Sequence, residues 1–165
     1  MGSEDTPAAR FRDPLVRLWR FSGEILVHCP RCDARASVYP ESRSGEDRLD
    51  TLAPHRLSCL SCGFADRWTV PCGRRARIPL EFGGPDDPYF GTPLWLAADC
   101  RGHVLWAYNT EHLDLLEAYV SAQLMERGSI PGSMSLVERL PAWIKDGRHR
   151  SEVLSGIRRL RVMAA

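Results

Sequence analysis

The chain has 165 residues, 44% hydrophobic and 26% charged, and 22 basic against 21 acidic side chains leave a formal net charge of +1. That is enough apolar material for one ordinary domain or two small ones, while the even balance excludes a global pull toward nucleic acid and leaves only the distribution of charge to provide one. No apolar run approaches membrane-spanning length, and Met1-Gly2-Ser3-Glu4-Asp5-Thr6-Pro7 lacks the basic and then apolar order of a secretory signal, so a cytoplasmic protein with no membrane contact is expected.

Residues 1–12 read as a disordered polar leader, and Leu15 to Phe21 as a short strand or helical turn. From there to residue 82 the signals are short β-prone runs at Ile25 to His28, Ser37 to Tyr39, Arg56 to Ser58, Arg67 to Val70 and Arg77 to Leu80, broken by a polar loop from Glu41 to Asp50. Among them stand two matched pairs, Cys29-Pro30-Arg31-Cys32 and Cys59-Leu60-Ser61-Cys62. A Cys-x-x-Cys turn aims two thiolates at one point, and two such turns supply four soft ligands in a tetrahedron, the preference of Zn²⁺. Gly63 frees the backbone to leave the second turn.

The spacing ranks one structural zinc first, an iron centre of the rubredoxin kind second, and disulfides or a thioredoxin-type redox pair third. Four cysteines leave no open coordination position, so the ion organises the fold and performs no chemistry. Residues 13–82 are therefore expected to form a zinc ribbon that draws much of its folding free energy from the metal. Cys72, Cys100, His103 and His112 are weaker candidates for a second site and read as buried thiols and turn or surface histidines. His28 and His55, beside the knuckles, are candidates to replace a cysteine or to hydrogen-bond a ligating sulfur, the second ahead of the first, and read before either as exposed.

The Gly83 to Pro88 stretch marks a loop or hinge, with residues 83–165 forming a hairpin and three to four helices packed on the ribbon, an α+β fold overall. Leu94 to Ala97 and Val104 to Tyr108 predict the hairpin around Asp99-Cys100-Arg101-Gly102. Leu113, Leu116, Val120 and Leu124 recur at helical spacing and predict a helix from about Glu111 to Arg127, stopped at Gly128. Ser135-x-x-Glu138 has the form of a capping box, Pro141 implies a kink or a new helix, and a last helix near Ser151 buries Val153, Leu154, Ile157 and Leu160.

Positive charge is carried almost wholly by arginine, Lys145 being the only lysine, and it gathers at both flanks of an acidic middle. Arg31, Arg35, Arg74, Arg75, Arg77, Arg148, Arg150, Arg158, Arg159 and Arg161 are the candidate phosphate contacts. No phosphate-binding glycine loop, nucleophile elbow or zinc-protease helix occurs, so no enzyme is expected. The function these residues suggest is recognition of nucleic acid or a nucleoprotein complex. The alternative is a protein-interaction adaptor that docks a partner through Asp114, Glu117 and Ser121 or through the hairpin edge.

Beyond the knuckles, Pro93-Leu94-Trp95-Leu96, Leu105-Trp106-Ala107-Tyr108-Asn109, Glu111-His112-Leu113, Leu140-Pro141-Ala142-Trp143 and Arg150-x-Glu152-Val153-Leu154 give the chain a second likeness. With them residues 24 to 162 resemble a group of mostly uncharacterised bacterial proteins named for a transcription-factor-IIB-type zinc ribbon. The resemblance implies zinc at Cys29, Cys32, Cys59 and Cys62, and no particular activity.

Overall fold

The computed structural model describes residues 10–41, 51–70, 80–122 and 134–165, and the backbone of 124–126. Strand β1 (Arg10–Arg12) and a 3-10 turn (Leu18–Phe21) lead into β2 (Ile25–His28), β3 (Arg35–Pro40), β4 (His55–Ser58) and β5 (Ala65–Trp68). These last four form an antiparallel sheet in the order β2-β3-β4-β5. In such a meander the β2–β3 and β4–β5 turns fall at the same end, and each of these turns is a Cys-x-x-Cys segment. Alternation sets the inner face: Ile25 lies opposite Val38, Val38 opposite Leu57, and Val27 opposite Ala36, all buried. In β5, the last strand of this sheet among the described residues, Asp66 and Arg67 are exposed charges.

The next segment, expected as a loop or hinge, is a loop. Gly83 and Gly84 take φ of +128° and +121°, which a Cβ disfavours. Just beyond, the buried Asp87 carboxylate accepts hydrogen bonds from the Tyr89, Phe90 and Thr92 amides and from the Thr92 hydroxyl. Strands β6 (Leu96–Cys100) and β7 (His103–Ala107) then form the expected hairpin. Both central turn residues, Arg101 and Gly102, have positive φ, the conformation that matches strand twist in a two-residue turn.

Helix α1 (Thr110–Ser121) is shorter than its periodicity predicts. Ala122 turns extended, and Leu124–Glu126 forms β8, paired in parallel with β1. Leu124 is thus part of a strand and not of the helical stripe, because pairing with a distant segment overrides local helix propensity. Residues 10–12, at the end of the polar leader, are accordingly a strand with Phe11 buried against Tyr119. The remainder is α2 (Leu136–Arg139), α3 (Ala142–Lys145), a 3-10 turn (Gly147–His149) and α4 (Arg150–Ala164). The Ser135 to Glu138 capping box is complete, with both reciprocal bonds present.

One core lies between α1, α4 and the β6–β7 hairpin, filled by Leu96, Leu105, Leu113, Val153, Ile157 and Leu160. Each such side chain contributes on the order of 2 kcal/mol when fully buried. Gly156 lets α4 approach this closely, since a Cβ there would stand 2.8 Å from Leu105 Cδ2. A second core covers the inner sheet face with Phe21, Tyr89, Leu94, Tyr108 and Leu136. The two are joined through β2, whose Leu26 amide donates to Tyr108 O at 2.8 Å and whose Leu26 carbonyl accepts from the Trp95 amide at 2.9 Å. The predicted strand from Arg77 to Leu80 lies almost wholly outside the described residues, and Gly128 lies outside them too.

Candidate metal centre

The two knuckles are built alike. The Cys29 amide donates to Ala34 O and its carbonyl accepts from the Asp33 amide; the Cys59 amide donates to Phe64 O and its carbonyl accepts from the Gly63 amide. Each bond pair closes a tight turn at the end of a hairpin, and the β3–β4 pairing holds the two turns side by side. Sγ of Cys29 stands 3.7 Å from Sγ of Cys62, Cys32 and Cys59 are separated by the same 3.7 Å, and all four sulfurs lie within 4.8 Å of one another. Four thiolates about 2.3 Å from a zinc ion occupy the corners of a tetrahedron with edges of about 3.8 Å. The four cysteines are therefore close enough to bind one metal ion, with every ligand supplied by the chain.

Proton affinities at the cluster diverge. Burial pushes the Cys29 thiol up, but the Arg31 and Cys32 amides together with the Cys32 and Cys59 thiols outweigh it and bring it down to about 7. Cys32 is drawn down by the Ala34 amide, yet Cys62, burial, Cys59 and Cys29 together push it up to about 12. Thiols this close cannot all ionise against one another, and a divalent cation reverses the balance by favouring four thiolates. The Arg31 amide, 3.4 Å from Cys29 Sγ, also points its dipole at the sulfur.

The flanking histidines are not ligands. His28 Nδ1 pairs with Asp33 Oδ1 at 2.9 Å and its ring lies against Trp95. His55, expected at the surface, is buried: Nδ1 donates to Ala53 O at 2.7 Å and the ring stacks on Tyr89 with centroids 3.6 Å apart. His112 is likewise buried and not a surface residue, whereas His103 is exposed and stacks on Trp143. Cys100 is a buried thiol whose proton affinity burial raises. Among the described residues no second cluster of three or more potential ligands occurs; Cys72 lies outside them. Asp33 escaped sequence reasoning, although it occupies the position in the first knuckle that Gly63 holds in the second.

The candidate phosphate contacts separate into groups. Arg74, Arg75 and Arg77 lie outside the described residues. Arg35 donates to Ala164 O at 2.8 Å, placing a cation on the negative end of α4. Arg150 donates to Ala122 O, Arg159 to Asp99 O, Arg148 pairs with Asp146, and Arg161 bridges Asp114 and Glu117. Arg31, at the tip of the first knuckle, and Arg158, on α4, are exposed and have no side-chain partner among the described residues. Arg161 thereby occupies two of the acidic groups, Asp114 and Glu117, that were the candidate docking face for a protein partner.

No helix among the described residues is long and apolar enough to cross a membrane. Comparison with protein-family models, curated proteins and solved structures gives no significant match.

Proposed function

We propose that this chain is a noncatalytic zinc protein in which one Zn²⁺, held by Cys29, Cys32, Cys59 and Cys62, rigidifies a zinc ribbon that recognises nucleic acid or a nucleoprotein complex. The observation that carries the zinc assignment is the compact sulfur cluster, with its 3.7 Å edges at the shared end of two hairpins. A closed thiolate set suits zinc, holds the turns and offers no position to a substrate. The likeness to the bacterial zinc-ribbon group points the same way.

For the nucleic-acid reading the support is positional. Arg31 stands on the tip that the metal would fix, where a rigid backbone lowers the entropy cost of a phosphate contact, and Arg158 adds a second exposed cation without a partner among the described residues. Arg74, Arg75 and Arg77 are further candidate cations in the sequence. The test is binding of zinc-loaded protein to single- and double-stranded DNA and RNA across a salt series, beside the Arg31→Ala/Arg158→Ala double variant and the Arg74/Arg75/Arg77 triple alanine variant. Binding that falls steeply with salt, with a shallower slope in either variant, supports the reading; no binding at low salt removes it.

One observation favours a protein adaptor as the second reading. Leu60, at the tip of the other knuckle, is 98% exposed, where it would be open to a partner's apolar surface. Docking through it would be less sensitive to salt and would be lost in Leu60→Ser.

A further inference from the structure

A cavity of about 450 Å³ opens between the 3-10 turn at Leu18–Phe21, β7, α1 and the short helices α2 and α3. Small-molecule sites run from about 300 to 1,000 Å³, so its size is that of a ligand pocket and well beyond a packing defect. Three indoles line it, Trp19, Trp106 and Trp143, with Leu116, Leu136 and Ile144. This lining favours a flat, apolar body.

The polar groups are one-sided. Among the described residues no aspartate or glutamate lines the cavity, and the charged ones that do are Arg17 and Arg139. The Arg139 guanidinium has no partner among the described residues, while an indole offers only a donor. His112 completes the set. It is 2% exposed, and its Nδ1 accepts the Tyr108 amide at 3.2 Å, which fixes the hydrogen on Nε2. That second nitrogen has no partner among the described residues, and the residue lines the cavity. Burial holds the imidazole neutral, lowering its proton affinity to about 3, so the ring is a hydrogen-bond donor without being a cation at neutral pH. Nε2 is not fully buried, so water reaches it from the cavity and an acceptor on a bound molecule would take that water's place.

We propose that this cavity is a binding site for a small aromatic carboxylate, its ring lying among the tryptophans and its carboxylate accepting from His112 and Arg139. The site is separate from the metal centre: none of the four cysteines lines it.

The experiment titrates zinc-loaded full-length protein with 1-naphthoate and, as the neutral isostere, 1-naphthamide, read by tryptophan emission and by calorimetry. One saturable site for naphthoate is expected, with the amide at least ~10-fold weaker, since it lacks the charge that the donors select. Arg139→Gln, at an exposed position, should weaken naphthoate at least ~5-fold and the amide less, with the melting temperature measured on the same sample. Affinity should be flat between pH 6 and 8, because His112 takes up no proton there. Absence of saturation at ~1 mM naphthoate, or equal affinities for acid and amide, would overturn the proposal.

Discussion

Asp33 and Gly63 occupy equivalent corners of the two knuckles, with φ of +62° and +71°, and each donates its amide to the carbonyl of the first cysteine of its pair. One corner is filled by the residue built for a left-handed backbone; the other carries a side chain that tolerates it. Gly63→Ala should therefore cost about 1 kcal/mol although the space beside its Cα is open, so the loss would be conformational. Asp33→Asn should stay within about 0.5 kcal/mol, since Asn also accepts this backbone and the His28 contact is exposed. Urea unfolding of the zinc-loaded protein measures both.

Asn109 ties the start of α1 to the sheet. Its Oδ1 accepts the His112 amide at 2.9 Å as the helix cap, and its Nδ2 donates to the carbonyls of Phe21 and Glu24, both at 2.8 Å. Asn109→Ala removes all three bonds and should cost roughly 2–3 kcal/mol, beyond the ~1 kcal/mol of a lost cap alone. Asn109→Asp keeps the cap but sets a carboxylate oxygen against the Phe21 and Glu24 carbonyls, so its melting temperature should fall at least as far as that of the alanine variant.

His112 gives a pH signature with a definite sign. Its proton affinity is depressed from 6.5 in the unfolded chain to about 3 in the native one, so below pH 6.5 the unfolded state takes up a proton that the native state refuses. The contribution is fully present above pH 6.5 and is lost as pH falls toward 3, at up to about 1.4 kcal/mol per pH unit. In NMR spectra the His112 ring should not titrate between pH 7.5 and 5. A midpoint near 6.5 would contradict its burial.

Cys59→Ser and Cys100→Ser separate ligand from packing. The first removes a corner of the sulfur cluster and should abolish stoichiometric metal and loosen β2 to β5. The second places a hydroxyl in the α4–β6–β7 core and should lower stability by about 1–3 kcal/mol while leaving one metal ion per chain. Metal content and a thermal melt on the same samples distinguish them.

The parts of this molecule visible in the sequence are those with short-range causes. Cys-x-x-Cys turns, the Ser135 to Glu138 cap and the Arg101-Gly102 turn are each specified within a few residues, and all three stand where the pattern puts them. Leu124 was misplaced because a helical period cannot register pairing between 124–126 and Arg10–Arg12. The arginines show the same limit. Residue type announced their charge, but Ala164 O, Ala122 O, Asp99 O and Glu117, which occupy Arg35, Arg150, Arg159 and Arg161, lie far along the chain. His55 and His112 read as surface residues because nothing local shows that Tyr89 and Phe21 will stack on them.

The most direct test is native mass spectrometry of protein prepared without chelator, followed by removal of the ion and amide hydrogen exchange. The account predicts one zinc per colourless chain and, once the zinc is removed, loss of protection across β2 to β5. A coloured iron-bearing protein, or a metal-free chain whose sheet is protected as before, would contradict it.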